Sequence, residues 1–442
     1  MNDPGRHSRA STLDLTLRAF KYRNYRLFFG GQCISLVGTW MQMVALSWLV
    51  YRLTGSTVLL GVTGFANQIP SLLLAPFTGV AADRFDRRKI LLFTQALAMT
   101  QALALALLVL YGSPQIWQII SLAVMLGVVN AFDMPARQAF VIELVEKKED
   151  LPNAIALNSS MFNSARLVGP SIAGLLIAAF GEGICFLLNA LSYLVVIAAL
   201  LAIRPPRSRR GAAQKKDAGG FIEGLWYAFS YAPIRYIIMM MAAGSLLGMP
   251  YTVLMPAYVK EILHGGPETL GFLMASAGCG ALLGALRLAG RRYPAGLERG
   301  IPLFTGIFGC GLLAFSFSTV FALSAVLIAA ASFGMISFMA SANTVVQTLV
   351  DDDKRGRVMS LYGVAFMGMA PFGSLLAGWA ASRLGVAYTI ALSGALVLAA
   401  TAFFISRLDR ITAHAAPVYS RLGLLEIAAE DIREASDAGR TL

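Results

Sequence analysis

Twelve apolar stretches, each about 20 residues or longer, follow one another along this chain with only short polar connections between them. A stretch of that length can cross the hydrocarbon core of a bilayer. It must do so as a helix, because there each backbone N–H and C=O has to find its partner inside the segment. Hydrophobic residues make up 57% of the 442 and charged residues 14%. Soluble domains carry about 25% charged residues, so the stretches cannot be folded away into a water-soluble core. The expected class is an all-α membrane protein whose solvent is the lipid bilayer. The spans fall near 25–50, 57–80, 88–111, 115–143, 152–180 and 183–203, then 233–259, 268–288, 300–318, 320–349, 358–382 and 386–406.

The connections alternate in charge. With a cytoplasmic amino terminus, about 32 of the 36 Lys and Arg residues fall on the cytoplasmic side, leaving Arg52, Lys260 and Arg383 facing outward. Both termini are therefore predicted to be cytoplasmic. The net charge of +12 is accounted for by topology, and no nucleic-acid partner is expected. Arg204-Pro205-Pro206-Arg207-Ser208-Arg209-Arg210 and the Gly/Ala/Lys stretch to Gly220 read as a flexible linker. The chain divides into a tail (1–24), a six-helix bundle (25–203), a linker (204–232), a second six-helix bundle (233–406) and a second tail (407–442), with a monomer expected. Leu13, Leu15, Leu17 and Phe20 suggest an interfacial helix in the first tail. Leu422, Leu425, Ile427 and Ile432 with Glu426, Glu430 and Asp431 suggest an amphipathic one in the second. No cleavable signal peptide is expected. Cys33, Cys185, Cys279 and Cys310 lie within apolar stretches without metal-ligand spacing and read as packing residues. His7, His264 and His414 are scattered, so no metal or other cofactor is expected.

The two halves read as diverged copies. An offset of 201 residues lays Pro170 on Pro371 and the fifth span on the eleventh. Repeats of this kind place a substrate cavity between the halves near the bilayer midplane. At the same offset Gly79 falls on Gly280, whereas Asp83 falls on Gly284, so that carboxylate occurs once.

A charge-dense island, Gly79-Val80-Ala81-Ala82-Asp83-Arg84-Phe85-Asp86-Arg87-Arg88-Lys89, joins the second and third spans. Gly79, Ala81 and Ala82 permit close helix approach, and Asp83 offers a carboxylate to Arg84, Arg87 and Arg88. The fifth span carries Gly169-Pro170-Ser171-Ile172-Ala173-Gly174, a proline flanked by small residues. Charges inside spans default to functional or paired roles. Asp133 and Arg137, four apart, share a helix face. Counted from a turn centred near Glu149, Asp133 lies 16 residues before it and Arg166 lies 17 after it, which predicts a buried ion pair between them. Burial favours a neutral Asp133 and the guanidiniums favour a charged one, a balance suited to taking up and releasing a proton; helix locking is the alternative. Gln32, Ser35, Thr39 and Gln42 recur at helical spacing, and they join Asn67, Gln68, Asn130, Asn163, Asn343 and Gln347 as candidates to line the cavity. Interhelical hydrogen bonding is the other reading of each. Trp40, Trp48, Phe65 and Phe338 are candidate apolar contacts.

The island resembles the G-x-x-x-D-R-x-G-R-R loop of the major facilitator superfamily, with Asp86 in place of a glycine. Gly169-Pro170-x-x-x-Gly174 resembles the fifth-helix G-x-x-x-G-P-x-x-G-G motif of facilitator exporters, with Ala165 and Ala173 replacing two glycines. Asn24-Tyr25-Arg26-Leu27-Phe28-Phe29-Gly30-Gly31-Gln32, Ile34 to Gln42, and Phe132-Asp133-Met134-Pro135-Ala136-Arg137-Gln138-Ala139-Phe140 are similar to the bacterial branch containing enterobactin exporters and macrolide-efflux proteins. The resemblance implies a major facilitator fold of twelve transmembrane helices in two pseudo-symmetric six-helix bundles. It further implies an inner-membrane location and proton-driven export of a small organic molecule by alternating access. Asp83, Arg84, Arg87 and Arg88 would then latch against the start of the eleventh helix near Arg357. A siderophore-like or amphipathic drug-like cargo is expected, moved by the proton gradient. An importer or lysophospholipid flippase on the same fold is the alternative, and a membrane receptor or embedded enzyme is the reading from another class. No metal pair, nucleophile elbow or phosphate loop supports an enzyme.

Overall fold

The computed structural model describes residues 17–204, 226–290 and 295–423. Among them are twelve helices long and apolar enough to cross a membrane. The first six are α1 (Arg23–Thr54), α2 (Thr57–Arg84), α3 (Arg87–Tyr111), α4 (Ile116–Glu143), α5 (Leu151–Phe180) and α6 (Glu182–Ala202). The second six are α7 (Ala232–Glu261), α8 (Pro267–Ala289), α9 (Leu297–Ser316), α10 (Phe321–Leu349), α11 (Arg355–Leu384) and α12 (Val386–Ile405). α7 and α11 are each interrupted by a π-helical turn, Gly244–Gly248 and Val364–Gly368, and Ser245 Oγ of one donates to Phe366 O of the other.

Local chemistry ends these helices where the chain must turn. Gly181 and Gly385 adopt φ of 80° and 84°, a region that side chains with a Cβ rarely enter, and they make the equivalent one-residue turns between α5 and α6 and between α11 and α12. Asp86 caps α3 by accepting from Lys89 N at 3.1 Å, with φ of −63°. That explains how the charged island tolerates an aspartate where the resembling motif has glycine: the position here needs a cap and no left-handed backbone.

The packing repeats with a shift of six. α1 packs on α5 and α6, α2 on α4, and α3 on α4 and α6; α7 packs on α11 and α12, α8 on α10, and α9 on α10 and α12. A thirteenth helix, α13 (Leu408–Arg421), lies in the second tail, ahead of the residues from Leu422 onward on which the sequence reading placed an amphipathic helix. Ile411, Ala415 and Tyr419 bury one face of it against the second half, and Tyr231 donates to His414 O at 2.8 Å. Residues 226–230, read as linker, are helical. The remaining tail positions proposed as amphipathic, Leu13, Leu15, Leu425, Ile427 and Ile432, lie outside the described residues. Of the four cysteines only Cys185 is buried; Cys279 and Cys310 are exposed, so for those two the packing role does not hold.

Candidate functional site

The connections divide the molecule into a basic end, with the loops after α2, α4 and α10, and a far end, with the turns at Gly55, Gly181 and Gly385. The halves meet along two helix pairs, α5 with α8 and α2 with α11. Glycines let the backbones touch: a Cβ on Gly174 would lie 3.0 Å from Gly271 Cα, and one on Gly61 would lie 3.1 Å from Gly378 Cα. Thr57 Oγ1 donates to Gly378 O at 3.0 Å, Gln68 Nε2 reaches Ser374 Oγ at 3.4 Å, and Tyr51 OH donates to the Glu261 carboxylate. Nearer the basic end, Gly278 faces the backbone of Arg166 and Leu167, and Gly368 faces Leu72. Beyond these crossings nothing lies within 4 Å of a Cβ built on Gly79. The apolar core follows the same division. One cluster, containing Leu49, Leu60, Tyr258, Phe308 and Ala377, spans both halves toward the far end, whereas separate clusters around Phe140 and Val345 serve each half at the basic end. Among the described residues the shared apolar core lies toward the far end, and the crossings of α5 with α8 and of α2 with α11 run from there toward the middle of the helices.

Within the first half, α3 lies against α4 and brings a polar shell to the Asp133 carboxylate. Asp133 is buried and accepts from Thr94 Oγ1 at 2.9 Å and Gln95 Nε2 at 2.8 Å, and its other oxygen pairs with Arg137. Gln95 Oε1 and Arg137 Nε are buried without a partner among the described residues. An amide can present either its NH2 or its carbonyl after a half-turn, so Gln95 can satisfy both a carboxylate and a carboxylic acid.

Arg166 is not the partner of Asp133, contrary to the depth count. Residues 144–150 make the connection outside the two helices, so Asp133 lies 10 residues inside α4 while Arg166 lies 15 inside α5. At 1.5 Å per residue that is a mismatch of about 8 Å. The helices also face different neighbours, α4 packing on α2 and α3 and α5 on α1 and α8. Arg166 instead lies over the Trp40 ring, 5.7 Å from its centroid.

The basic island is engaged within its own half. Arg87 pairs with Glu143 at 2.6 Å and donates to Ala82 O at 3.2 Å. Arg88 donates to Leu200 O at 2.7 Å and Leu201 O at 2.9 Å, the carbonyl-rich end of α6. Asp83 and Arg84 are exposed, and among the described residues Asp83 makes no ion pair or hydrogen bond, none to Arg357 included. The contact expected of a latch is not made in this structure, and Gly79 makes no close approach.

A family model described as transmembrane secretion effector matches residues 16–426. The chain belongs to that family of major facilitator transporters. It is 27% identical over 386 residues to the staphyloferrin A transporter of Staphylococcus aureus (strain NCTC 8325 / PS 47), covering 86% of this chain and 95% of that one. It is 28% identical to the multidrug efflux pump Tap of Mycolicibacterium fortuitum (85% and 93% covered) and 23% identical to macrolide efflux protein A of Streptococcus pyogenes (86% and 95%). Among solved structures, a bacterial homologue of the human lysosomal transporter Spinster, in an inward-facing and occupied conformation, shares the fold with a TM-score of 0.71 at 12% identity, over 89% of this chain and 98% of that one.

In this facilitator the nominated polar residues part into distinct groups. Gln32, Ser35 and Gln42 are buried inside the first half and do not line an inter-half cavity. Gln42 accepts from Asn189 Nδ2 at 2.7 Å and donates to Gln101 Oε1 at 2.9 Å, while Thr39 donates to Ser35 O at 2.9 Å. Asn67 is half-buried beside Gln68, which bridges the seam. Asn130 is exposed, Asn163 is half-buried and donates to Ser159 O, and Gln347 donates to Asn343 Oδ1 beside a polar hollow lined by Thr344, Thr348 and Arg355. Phe65 meets Phe372 across the seam, Trp48 is core, and Phe338 borders an apolar hollow with Met241, Met335 and Phe366. Gly169 packs on α1 of its own half, its Cβ position 2.5 Å from Trp40 Cβ; Gly174 is the glycine of the motif that crosses to the other half, and Pro170 O meets Gly271 there. Sequence reading passed over Thr94, Gln95, Gln101 and Asn189. Their signal was available as amides and a hydroxyl inside otherwise apolar spans.

Proposed function

We propose that this transporter is a secondary active exporter of a small organic molecule, siderophore-like or amphipathic and drug-like, working as a monomer by alternating access with protons moving inward. The proposed setting is the bacterial inner membrane with both termini and the basic end in the cytoplasm, since a Lys/Arg excess marks the cytoplasmic side. The conformation described is then the one open to the cytoplasm. The observation that carries the coupling is the Asp133 carboxylate, buried in a span and held by Thr94, Gln95 and Arg137. Charged, it accepts from all three. Protonated, it becomes a donor that a turned Gln95 amide can accept from, and its hold on Arg137 weakens; a proton thereby changes the packing of α3 against α4. Alternation follows because the far-end glycine crossings and an Asp83 latch at the basic end cannot both be closed when the halves rock as rigid bodies. The relatives' names support export and the cargo class. Metabolites in medium from deletion and overexpression strains test the proposal: at least one small organic molecule should be depleted in the first, enriched in the second, and lose its enrichment when a protonophore is added. No difference, or an enrichment indifferent to the protonophore, overturns it.

A further inference from the structure

Arg166 is the charge that the coupling site leaves unused. It lies 15 residues inside a membrane-spanning helix, yet among the described residues it has no carboxylate partner and makes no hydrogen bond through its guanidinium. Its side chain is half-buried, so the guanidinium is partly accessible. An arginine stays charged at any physiological pH, and in a span such a charge belongs in a water-filled cavity rather than against lipid. Its place in the seam agrees: its backbone faces Gly278 of the other half, at the glycine crossing of α5 with α8 nearest the basic end. Arg137, by contrast, is neutralised by Asp133. The guanidinium rests over the Trp40 ring, and Phe162 meets that ring edge-on at 5.7 Å. Ser159, Phe162, Asn163 and Arg166 recur at one-turn spacing along α5, exposed or half-buried, and lead from the basic end to Arg166.

We infer that Arg166, Trp40 and Phe162 form a binding subsite for a planar aromatic carboxylate, which names the cargo class on the reading that the seam is the transport path. A carboxylate takes two parallel N–H bonds from a guanidinium, and Trp40 and Phe162 supply faces for an attached ring.

Equilibrium binding of radiolabelled 2-naphthoate to the full chain in phosphatidylcholine nanodiscs tests this, with uncharged 2-naphthamide as the control. Binding needs no gradient and no direction of transport, so its failure and the failure of the export proposal are separable. Naphthoate should bind at least about 10-fold more tightly than naphthamide, the factor of a charge-assisted two-point contact. Arg166→Gln should abolish that preference, Arg166→Lys should retain part of it, and Trp40→Leu should weaken both ligands. Equal binding of the two ligands, or a preference that survives Arg166→Gln, overturns the inference. So does loss of naphthoate binding when phosphatidylglycerol is added, because the site would then hold a lipid phosphate. The Arg166→Lys variant keeps the charge and provides the folded comparison where Arg166→Gln is poorly produced.

Discussion

Arg137 reaches the Asp133 carboxylate from one turn further along α4, so this pair is made within one helix and not between two. The pair therefore does not fasten α4 to α5. From Asp133 itself, the contacts that leave α4 are the hydrogen bonds from Thr94 and Gln95 on α3.

Asp133→Asn keeps the volume and fixes the site as neutral. Binding of cargo and exchange down its own gradient are expected to persist, while accumulation driven by a pH gradient should vanish in reconstituted vesicles. Because the Arg137 side chain is 24% exposed, the loss of stability should fall below the roughly 3–5 kcal/mol of a fully buried broken pair. Intact pH-driven accumulation would remove Asp133 from the coupling step.

The pairing itself is open to a double-mutant cycle on unfolding in detergent. Asp133→Asn and Arg137→Gln should be coupled by about 1 kcal/mol, whereas Asp133→Asn and Arg166→Gln should add to within about 0.5 kcal/mol. The reverse result would restore the inter-helix pair that the connection at 144–150 rules out.

The two glycines of the α5 motif should separate stability from cycling. Gly169→Leu drives a side chain into Trp40 of the same half and should destabilise the fold by about 1–3 kcal/mol. Gly174→Leu meets Pro267 and Gly271 of the other half and should instead shift the population away from far-end closure. Pulsed electron spin measurements between labels at Asp86 and Asp352 would show shorter distances at the basic end for Gly174→Leu. Unchanged distances would mean that this crossing does not move.

Asp83→Ala removes a side chain that has no partner in the described conformation. Thermal stability should be unchanged to within about 0.5 kcal/mol, while transport falls strongly because the opposite state loses its latch. A well-inserted Asp83→Ala protein that transports normally would show that the latch has no role.

At the basic end, outside the spans, Asp150 pairs with Lys21 at 2.5 Å and accepts from Tyr22 OH at 2.6 Å. The bond from Lys21, then that from Tyr22, holds the Asp150 carboxyl below its ordinary range, and the same bond from Asp150 raises Lys21. A lowered carboxyl contributes stability in full above its unfolded value of about 3.9, and loses it as pH falls through the folded value. A raised lysine contributes in full below about 10.4, and loses it as pH rises through its own folded value. The melting temperature should therefore fall on both sides of a neutral plateau. Asp150→Asn should lower the plateau and flatten both flanks; an unchanged profile would show that the contact contributes nothing.

By itself the sequence determined the twelve spans and the alternation of basic loops. Both follow from quantities summed locally along the chain: the apolar length needed to cross a bilayer and the hydration of charge. It also marked Asp133 and Arg137 as sharing a face, since a helix turn is local too. Only the tertiary structure decided that Gln42 is tied to Gln101 and Asn189 inside one half, and that Arg166 rests on Trp40 instead of reaching Asp133. Those outcomes depend on helix rotation and on how many residues a connection consumes, and a shift of five residues along a helix moves a charge by about 8 Å. Asp83 shows the remaining limit. The resemblance carried by its sequence implies a contact with the start of α11, and the structure leaves Asp83 exposed without that contact, because where one half sits against the other is not written locally in the chain.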